Sequence, residues 1–390
     1  MGGQSAGEVK VMFGNVQSIV NKMDEVRATM ALESPDIMAL TETWTHEGIG
    51  REFLNVEGFE LLARSDRNDT EKGRGGGIVI YVKKTINARE IEEKTDFNQS
   101  ASIEIKNGSE NVILHVVYRS PNSSKKNDED LCQWVGKMRG PNVIIGDFNL
   151  PDIDWHNDQA GSKGREFFEV TMEQFMEQLV TEPTHKSGNI LDLVLCNRED
   201  MINDVKNECR IGKSDHDLIM FKMTIVKEKG KDQMSLNYGK AQFDEMRTAT
   251  AEINWKEELM AKNVNEMWHS IKGHVLKLMN EFIPWKKRKN GKNPPWMDSD
   301  VKKCIREKKM AWKKWKETKK EKDREEYKKR VNVTKKKIRK KKNAHERKIA
   351  ECRKTNPKLY YAFVNQAKKT RCRIGPLLDK EKRTITDPEQ

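Results

Sequence analysis

Six short runs rich in valine and isoleucine punctuate the first 226 residues, at 9–13, 37–40, 78–82, 112–118, 143–145 and 190–195. Each is too short for a stable helix and carries the β-branched side chains that suit a pleated surface, so each predicts a strand. Between them, residues 128–138 and 166–179 space their apolar side chains as a helix does. In the second stretch Phe167, Phe168, Met172, Phe175, Met176 and Leu179 form one stripe, which predicts a helix with that stripe in the core. Strands alternating with helices predict an α/β domain over residues 8–226.

Charge divides the chain. Residues 1–226 hold 26 Lys and Arg against 38 Asp and Glu, whereas residues 227–390 hold 48 against 23. An acidic first part is joined to a strongly basic second part. The expectation is that the second part meets a polyanion, with a solvated, self-repelling tail as the alternative. After a polar linker at 227–237, Trp268, Ile271, Val275, Leu278, Met279 and Phe282 predict helix within 243–283, closed by Pro284. A second break at Asn293-Pro294-Pro295 precedes a cap at Asp298 or Ser299 and one long helix running to about Arg353. Lys, Arg and Glu fill that helix, interrupted by Ile305, Trp312, Trp315, Tyr327, Val331 and Ile338, an apolar stripe too thin to bury alone.

Several classes are excluded. The first residues lack the apolar core of a secretory signal, Ala6 stands where a myristoylation pattern needs Ser or Thr, and no apolar run is long enough to span a membrane. The six cysteines show no CxxC and no zinc-type Cys/His spacing, so they are read as free thiols in a reducing, intracellular compartment. The run Arg74-Gly75-Gly76-Gly77 precedes a strand and lacks the Lys-Ser/Thr of a P-loop, which leaves a turn.

The chemistry sits at the ends of the predicted strands, where α/β sheets place reactive groups. Asn15 and Glu42 follow the first two runs, and Tyr118 closes the fourth. Asp147 and Asn149 follow the fifth, Asp192 lies inside the sixth, and Ser214-Asp215-His216 opens a last strand at 218–225. Singly, each has an ordinary explanation as a turn residue, an ion-pair partner or a core histidine. Six coincidences at strand ends do not. A carboxylate inside an apolar strand needs a partner, and His216 is the partner expected for Asp192. Carboxylate and amide oxygens without cysteine suit Mg²⁺ (or Mn²⁺). Phosphodiester hydrolysis needs an activated water, neutralised phosphate oxygens and a stabilised leaving oxygen, all within reach of this set.

The ordered series Asn15, Leu40-Thr41-Glu42-Thr43-Trp44, Tyr118-Arg119-Ser120-Pro121, Gly146-Asp147-Phe148-Asn149, Leu191-Asp192-Leu193 and Ser214-Asp215-His216 resembles the endonuclease/exonuclease/phosphatase superfamily. The resemblance covers residues 8–226. It implies a four-layer α-β-β-α sandwich, two mixed β-sheets flanked by helices, followed by a basic, mostly helical extension. It implies Glu42 as principal metal ligand with Asn15 and Asp215 beside it, Asp147 as the group that activates water, and Asn149 as its aide. Tyr118 becomes a phosphate contact, and His216, held by Asp192, the residue that stabilises the pentacovalent phosphate. Gln17 departs from the pattern, since repair-type members often carry an acidic residue there.

Pro294-Pro295-Trp296-Met297, the basic helix, Asn356-Pro357-Lys358 and Gly375-Pro376-Leu377-Leu378 resemble the connector of LINE-type (non-LTR) retrotransposon polyproteins. A reverse transcriptase is then expected beyond Gln390. The implied activity is metal-dependent nicking of DNA in a nuclear setting. Arg119, Ser214, Lys335, Lys336, Lys337, Arg339 and Lys340 are the expected nucleic-acid contacts, with RNA a further possible partner of the basic helix. Trp312 and Trp315 either stack on bases or pack against the 243–283 helix. Two other readings stand beside this one: a catalytically dead remnant that only binds nucleic acid, and a small-molecule phosphatase, which would leave the basic helix without a purpose.

Overall fold

The computed structural model describes residues 5–66, 75–92, 95–97, 99–108, 110–227, 234–260, 262–287 and 293–367. Arg74, Cys372 and the segment 375–378 lie outside them. The chain forms two compact units: residues 1–228 together with 291–390, and residues 229–290.

The first unit is built on two six-stranded mixed sheets. One runs β13 (Ile202–Glu208), β14 (Leu218–Lys227), β1 (Ser5–Asn15), β2 (Ile37–Thr41), β4 (Ile78–Lys83), β3 (Phe59–Ser65). The other runs β11 (Glu177–Gln178), β12 (Asp192–Cys196), β8 (Asn142–Asp147), β7 (Val112–Tyr118), β6 (Ser100–Ile105), β5 (Ala88–Ile91). Each sheet has one parallel pair at its centre, β1–β2 and β7–β8, joined through α1 (Met23–Glu33) and α2 (Lys125–Gly136) respectively.

Period-two alternation sorts the layers. Val9, Val11 and Phe13 of β1 face Val112, Leu114, Val116, Val143 and Ile145 of the other sheet in a common core. Met12, one step out of phase, meets Met23, Val26 and Met30 of α1. On the opposite outer face, Val117 and Ile144 meet Leu131 and Val135 of α2 and Phe167 of α3 (Arg165–Glu173). The result is the expected four-layer sandwich. The central strands are covered on both faces, which is why they read as continuous apolar runs. A two-stranded hairpin, β9 (Ile153–Asp154) and β10 (Gln159–Ala160), projects beyond β8.

Two helices differ from expectation. α3 stops at Glu173, because Phe175 takes a left-handed backbone (φ 54°) and Glu177–Gln178 turns into an edge strand on β12. Phe175 is 86% exposed and Met172 51%, so the stripe is only partly core. The long basic helix is two: α7 (Ser299–Thr318), capped by the Asp298 carboxylate, and α8 (Glu321–Glu351), folded back at Lys319 in a left-handed conformation. The thin apolar stripe is thereby shared. Val301, Ile305 and Ile338 bury Ala28 of α1 together with Trp296 and Met297, while Trp312, Tyr327 and Val331 close over Cys209. Trp312 is buried and Trp315 stacks on Tyr327 with Arg210 over its ring, so neither offers a free face to a base. A final helix, α9 (Pro357–Ala367), follows. Among the described residues no helix is long and apolar enough to cross a membrane.

The second unit carries a ribbon of β15 (Met234–Leu236) and β16 (Trp285–Lys287) with α4 (Phe243–Ala251), α5 (Trp255–Leu259) and α6 (Val264–Phe282). The single stretch of helix expected at 243–283 is thus broken twice. Asn254 and Asn263 each cap the helix that follows, Asn263 in a full capping box with Glu266.

Gly146 lets β7 and β8 approach one rung before the strand ends. A Cβ there would lie 2.2 Å from the Val117 carbonyl oxygen, across the Val117–Gly146 pair. Gly146→Ala is expected to cost about 1–3 kcal/mol by overpacking. Urea unfolding would read this, and an unchanged midpoint would mean that the strands part freely.

Candidate active site

Strand register assembles the site. Tyr118 lies opposite Asp147, and Asp147 opposite Asp192, so three predicted residues form one row across β7, β8 and β12. The other sheet brings Asn15 at the end of β1, and Glu42 directly after β2. The Asn15 side-chain amide donates to Asp147 Oδ2 at 2.8 Å, which ties the two sheets together at their ends.

The loops that carry these groups are held in unusual conformations. Gln17, Ser18, Glu42, Trp44 and Asn149 all have positive φ. Such strain costs on the order of 1–3 kcal/mol per residue and gathers at functional sites. Backbone bonds fix it: Ser18 and Ile19 donate to the carbonyls of Glu42 and Thr43, and Thr43 and Trp44 donate to Gly77 and Gly76. Gly76 and Gly77, both at positive φ, thereby brace the Glu42 loop. The Glu42 carboxylate accepts from the Tyr118 hydroxyl on one oxygen and from Trp44 Nε1, at 2.8 Å, on the other.

His216 Nδ1 lies 2.8 Å from Asp192 Oδ2, and its Nε2 faces Asp147 Oδ2 at 3.9 Å. Burial pulls the imidazole down, but the charge and hydrogen bond of Asp192, with Asp147 behind them, lift it to about 9. Burial and then the Asp192 charge push the Asp147 carboxyl up to about 7, against the pull of His216 and Asn15. An imidazolium thus sits between two buried carboxylates. Asp147 Oδ1 and Asp192 Oδ1 are buried with no hydrogen-bond partner among the described residues.

The remaining expected residues fall elsewhere. Asp215 is half-buried at the rim. Burial raises its carboxyl, yet the Lys186 ammonium 2.8 Å away outweighs this and holds it below the ordinary value. Asn149 donates to the Arg119 carbonyl at 3.0 Å. Arg119 itself is a correction: its buried guanidinium clasps Asp128 and donates to the carbonyls of Phe148 and Asn149, which makes it a brace under the Asn149 loop, not an exposed phosphate contact. Ser214 is buried too. Its hydroxyl donates to the Asn15 carbonyl and accepts from the His216 N–H. On α8, Lys335, Lys336, Arg339 and Lys340 are exposed, while Lys337 pairs with Asp300.

Four further side chains near the site were given no role by the sequence. Trp44 orients Glu42. Thr184 accepts the N–H of Asp192 and Leu191 on its hydroxyl, and the His185 ring lies 4.7 Å from that of His216. Gln17, visible only as a departure, clasps Asp215: its Nε2 reaches Asp215 Oδ2 at 3.5 Å and its Oε1 accepts the Asp215 N–H at 3.2 Å. A carboxylate at this position could accept but not donate.

Ligand atoms of Asp147, Asp192 and His216 lie within 4.8 Å of one another. The sequence placed the metal at Glu42 instead. The Asp192–His216 hydrogen bond uses one Asp192 oxygen, so the hard donors that remain are Asp147 Oδ1, Asp192 Oδ1 and the Glu42 carboxylate, whose charge Asp147 and His216 both sense. This donor set fits a divalent cation held by oxygens.

Buried carboxylates and a histidine gathered at the ends of two facing sheets are an arrangement suited to phosphoester hydrolysis with a divalent cation. Residues 112–220 match the family profile described as endonuclease-reverse transcriptase. No curated protein sequence matches. Among solved structures, the endonuclease domain of TRAS1, a telomere-specific non-LTR retrotransposon, is similar at 16% identity over 57% of this chain and 100% of that one, with a TM-score of 0.45. The AP endonuclease LMAP from Leishmania major is similar at 16% over 55% and 87%, TM-score 0.44. The 3'-5' exonuclease NExo from Neisseria meningitidis is similar at 17% over 55% and 99%, TM-score 0.43.

Proposed function

We propose that the domain at residues 8–226 is a divalent-metal-dependent endonuclease that nicks DNA, with the reaction type used in target-primed retrotransposition. The observation that carries the reading is the Asp192–His216–Asp147–Asn15 chain of contacts, which joins the ends of both sheets beside Glu42. Glu42, with Asn15 nearby, would hold the cation. When bound, the cation neutralises charge on the phosphate oxygens and the leaving oxygen. Asp147 takes the proton of the attacking water, and Asn149 orients it. His216, kept protonated by Asp192, donates through Nε2 to the phosphoryl oxygen as negative charge builds. Tyr118 steadies Glu42 and the phosphate. Asp215, bound by Lys186 and Gln17, shapes the rim.

Supercoiled plasmid incubated with and without Mg²⁺ or Mn²⁺ tests this. Conversion to open circles with metal, abolished by chelator and by His216→Ala, is the expected result. Plasmid that stays intact in every lane would overturn the catalytic reading and leave the binding remnant, which the intact set of site residues does not favour.

The exposed lysines of α8 supply the salt-sensitive part of DNA affinity in this reading. Neutralising Lys335, Lys336, Arg339 and Lys340 together is expected to reduce the slope of log affinity against log salt by up to about 3.6. An unchanged slope would remove this helix from the DNA interface.

A further inference from the structure

Behind His216 lies a buried cluster of charged side chains that the proposed chemistry does not use. Asp217 is 1% exposed. Its Oδ1 accepts from Arg210 Nε at 2.7 Å and from Trp312 Nε1 at 3.3 Å, and its Oδ2 from Lys316 Nζ at 2.8 Å. Trp312 and Lys316 belong to α7 in the basic extension. Lys316 also donates to the Pro183 carbonyl at 3.2 Å. It therefore touches both segments that flank the Asp192–His216 pair.

The bonds continue inward without a gap. The Asp217 N–H donates to the Thr184 carbonyl at 2.8 Å. The Thr184 hydroxyl accepts the Asp192 N–H at 3.1 Å, and Asp192 Oδ2 holds His216 Nδ1 at 2.8 Å. Without α7, Asp217 would keep Arg210 alone, and Pro183 would lose a charged donor.

We propose that α7 is a positioning element of the active site, in which Lys316 and Trp312 hold Asp217 and the Pro183–Thr184 segment in register and so keep His216 seated on Asp192. The extension is then a working part of the nuclease as well as a connector. The proposal rests on the nuclease reading for its kinetic consequence, but not for its structural one. Neither side chain touches the reacting atoms, so both are positioning residues. Partners of this kind, one step removed from the chemistry, typically cost about 10–100-fold when lost.

The test uses the full chain with Lys316→Met, Lys316→Arg and Trp312→Phe, and Lys314→Met as a control facing Asp323 within the hairpin. Two readouts are taken on variants whose melting shows them folded: the kcat and KM of plasmid nicking, and the low-field proton resonance of the His216–Asp192 hydrogen bond. Lys316→Met is expected to lower kcat by roughly 10–100-fold with little change in KM, and to shift or broaden the resonance. Lys316→Arg is expected to retain both, as is the control. Trp312→Phe keeps an aromatic ring in the pocket but removes the N–H along with some volume, so a folded Trp312→Phe decides the matter if Lys316→Met does not fold. Unchanged kcat and resonance in folded Lys316→Met or Trp312→Phe would overturn the proposal. If wild-type protein leaves plasmid intact, the nuclease reading fails, while the resonance still decides whether α7 seats the histidine.

Discussion

Asp147→Asn is expected to make the metal-free chain more stable while abolishing metal-dependent nicking. The Asp147 carboxyl is wholly buried, faces Asp192 and is pushed up from 3.8 to about 7. Its folded value lies above its unfolded one, so the fold favours the protonated form. That contribution is fully present below the unfolded value and is lost as pH rises through about 7. At pH 8 the native state therefore carries a cost of burial and like charge on the order of 4 kcal/mol, which asparagine removes while keeping an oxygen for the Asn15 amide. In chelator at pH 8, the melting temperature should rise by roughly 5 °C, and the gain should vanish near pH 4. Nicking should fall by about 10²–10⁴-fold. A variant that melts lower at pH 8 would overturn the electrostatic account. Site and stability pull in opposite directions here, as is common where function needs charge in a dry place. His216 has the same direction of pH dependence at a higher pH. Its value is also raised, from 6.5 to about 9, so its stabilising contribution is present below 6.5 and fades as pH climbs through about 9.

Asp217→Ala should be the most destabilising single change outside the hydrophobic core. It strips Arg210, Trp312 and Lys316 of one shared acceptor, and Arg210 is itself buried. Breaking a buried ionic network by removing one member costs about 3–5 kcal/mol, because the partners left behind are desolvated and unpaired. Chemical denaturation of the full chain should show this as a lower midpoint, with α7 and α8 becoming sensitive to protease first. Asp217→Asn, which keeps an oxygen on Arg210, should cost less. Equal midpoints for Asp217→Ala and wild type would mean that the network contributes nothing net.

Much of the site was legible because the central strands announce themselves. Val and Ile runs covered on both faces are easy to see, and a polar residue at the end of such a run, as with Asn15, Glu42 and Asp147, or inside one, as with Asp192, stands out. Strands nearer the sheet edges were not legible. β13 carries Asn203, Asp204 and Lys206, and β6 alternates serine and glutamate with its apolar residues, so neither shows a run. The fold-back between α7 and α8 left no trace either, since the left-handed turn falls on Lys319 without a glycine or proline to mark it. Arg119 and Ser214 were misread for a related reason. A side chain next to a reactive one looks like a contact in one dimension, whereas these two, in loops just outside the strands, turn to Asp128 and to the Asn15 carbonyl.

The pairing of β1 with β14 has a consequence in time. Ser5 lies opposite Lys227, and Asn15 reaches Asp147 across the sheets. A chain emerging from the ribosome holds Asn15 and Glu42 long before it holds His216. Until His216 and β14 have also left the exit tunnel, the first strand lacks its antiparallel neighbour and Asp192 has no imidazole. The order of synthesis thus sets when the candidate centre forms: the contacts from Asn15 through Asp147 and His216 to Asp192 come into being only when the whole sandwich closes.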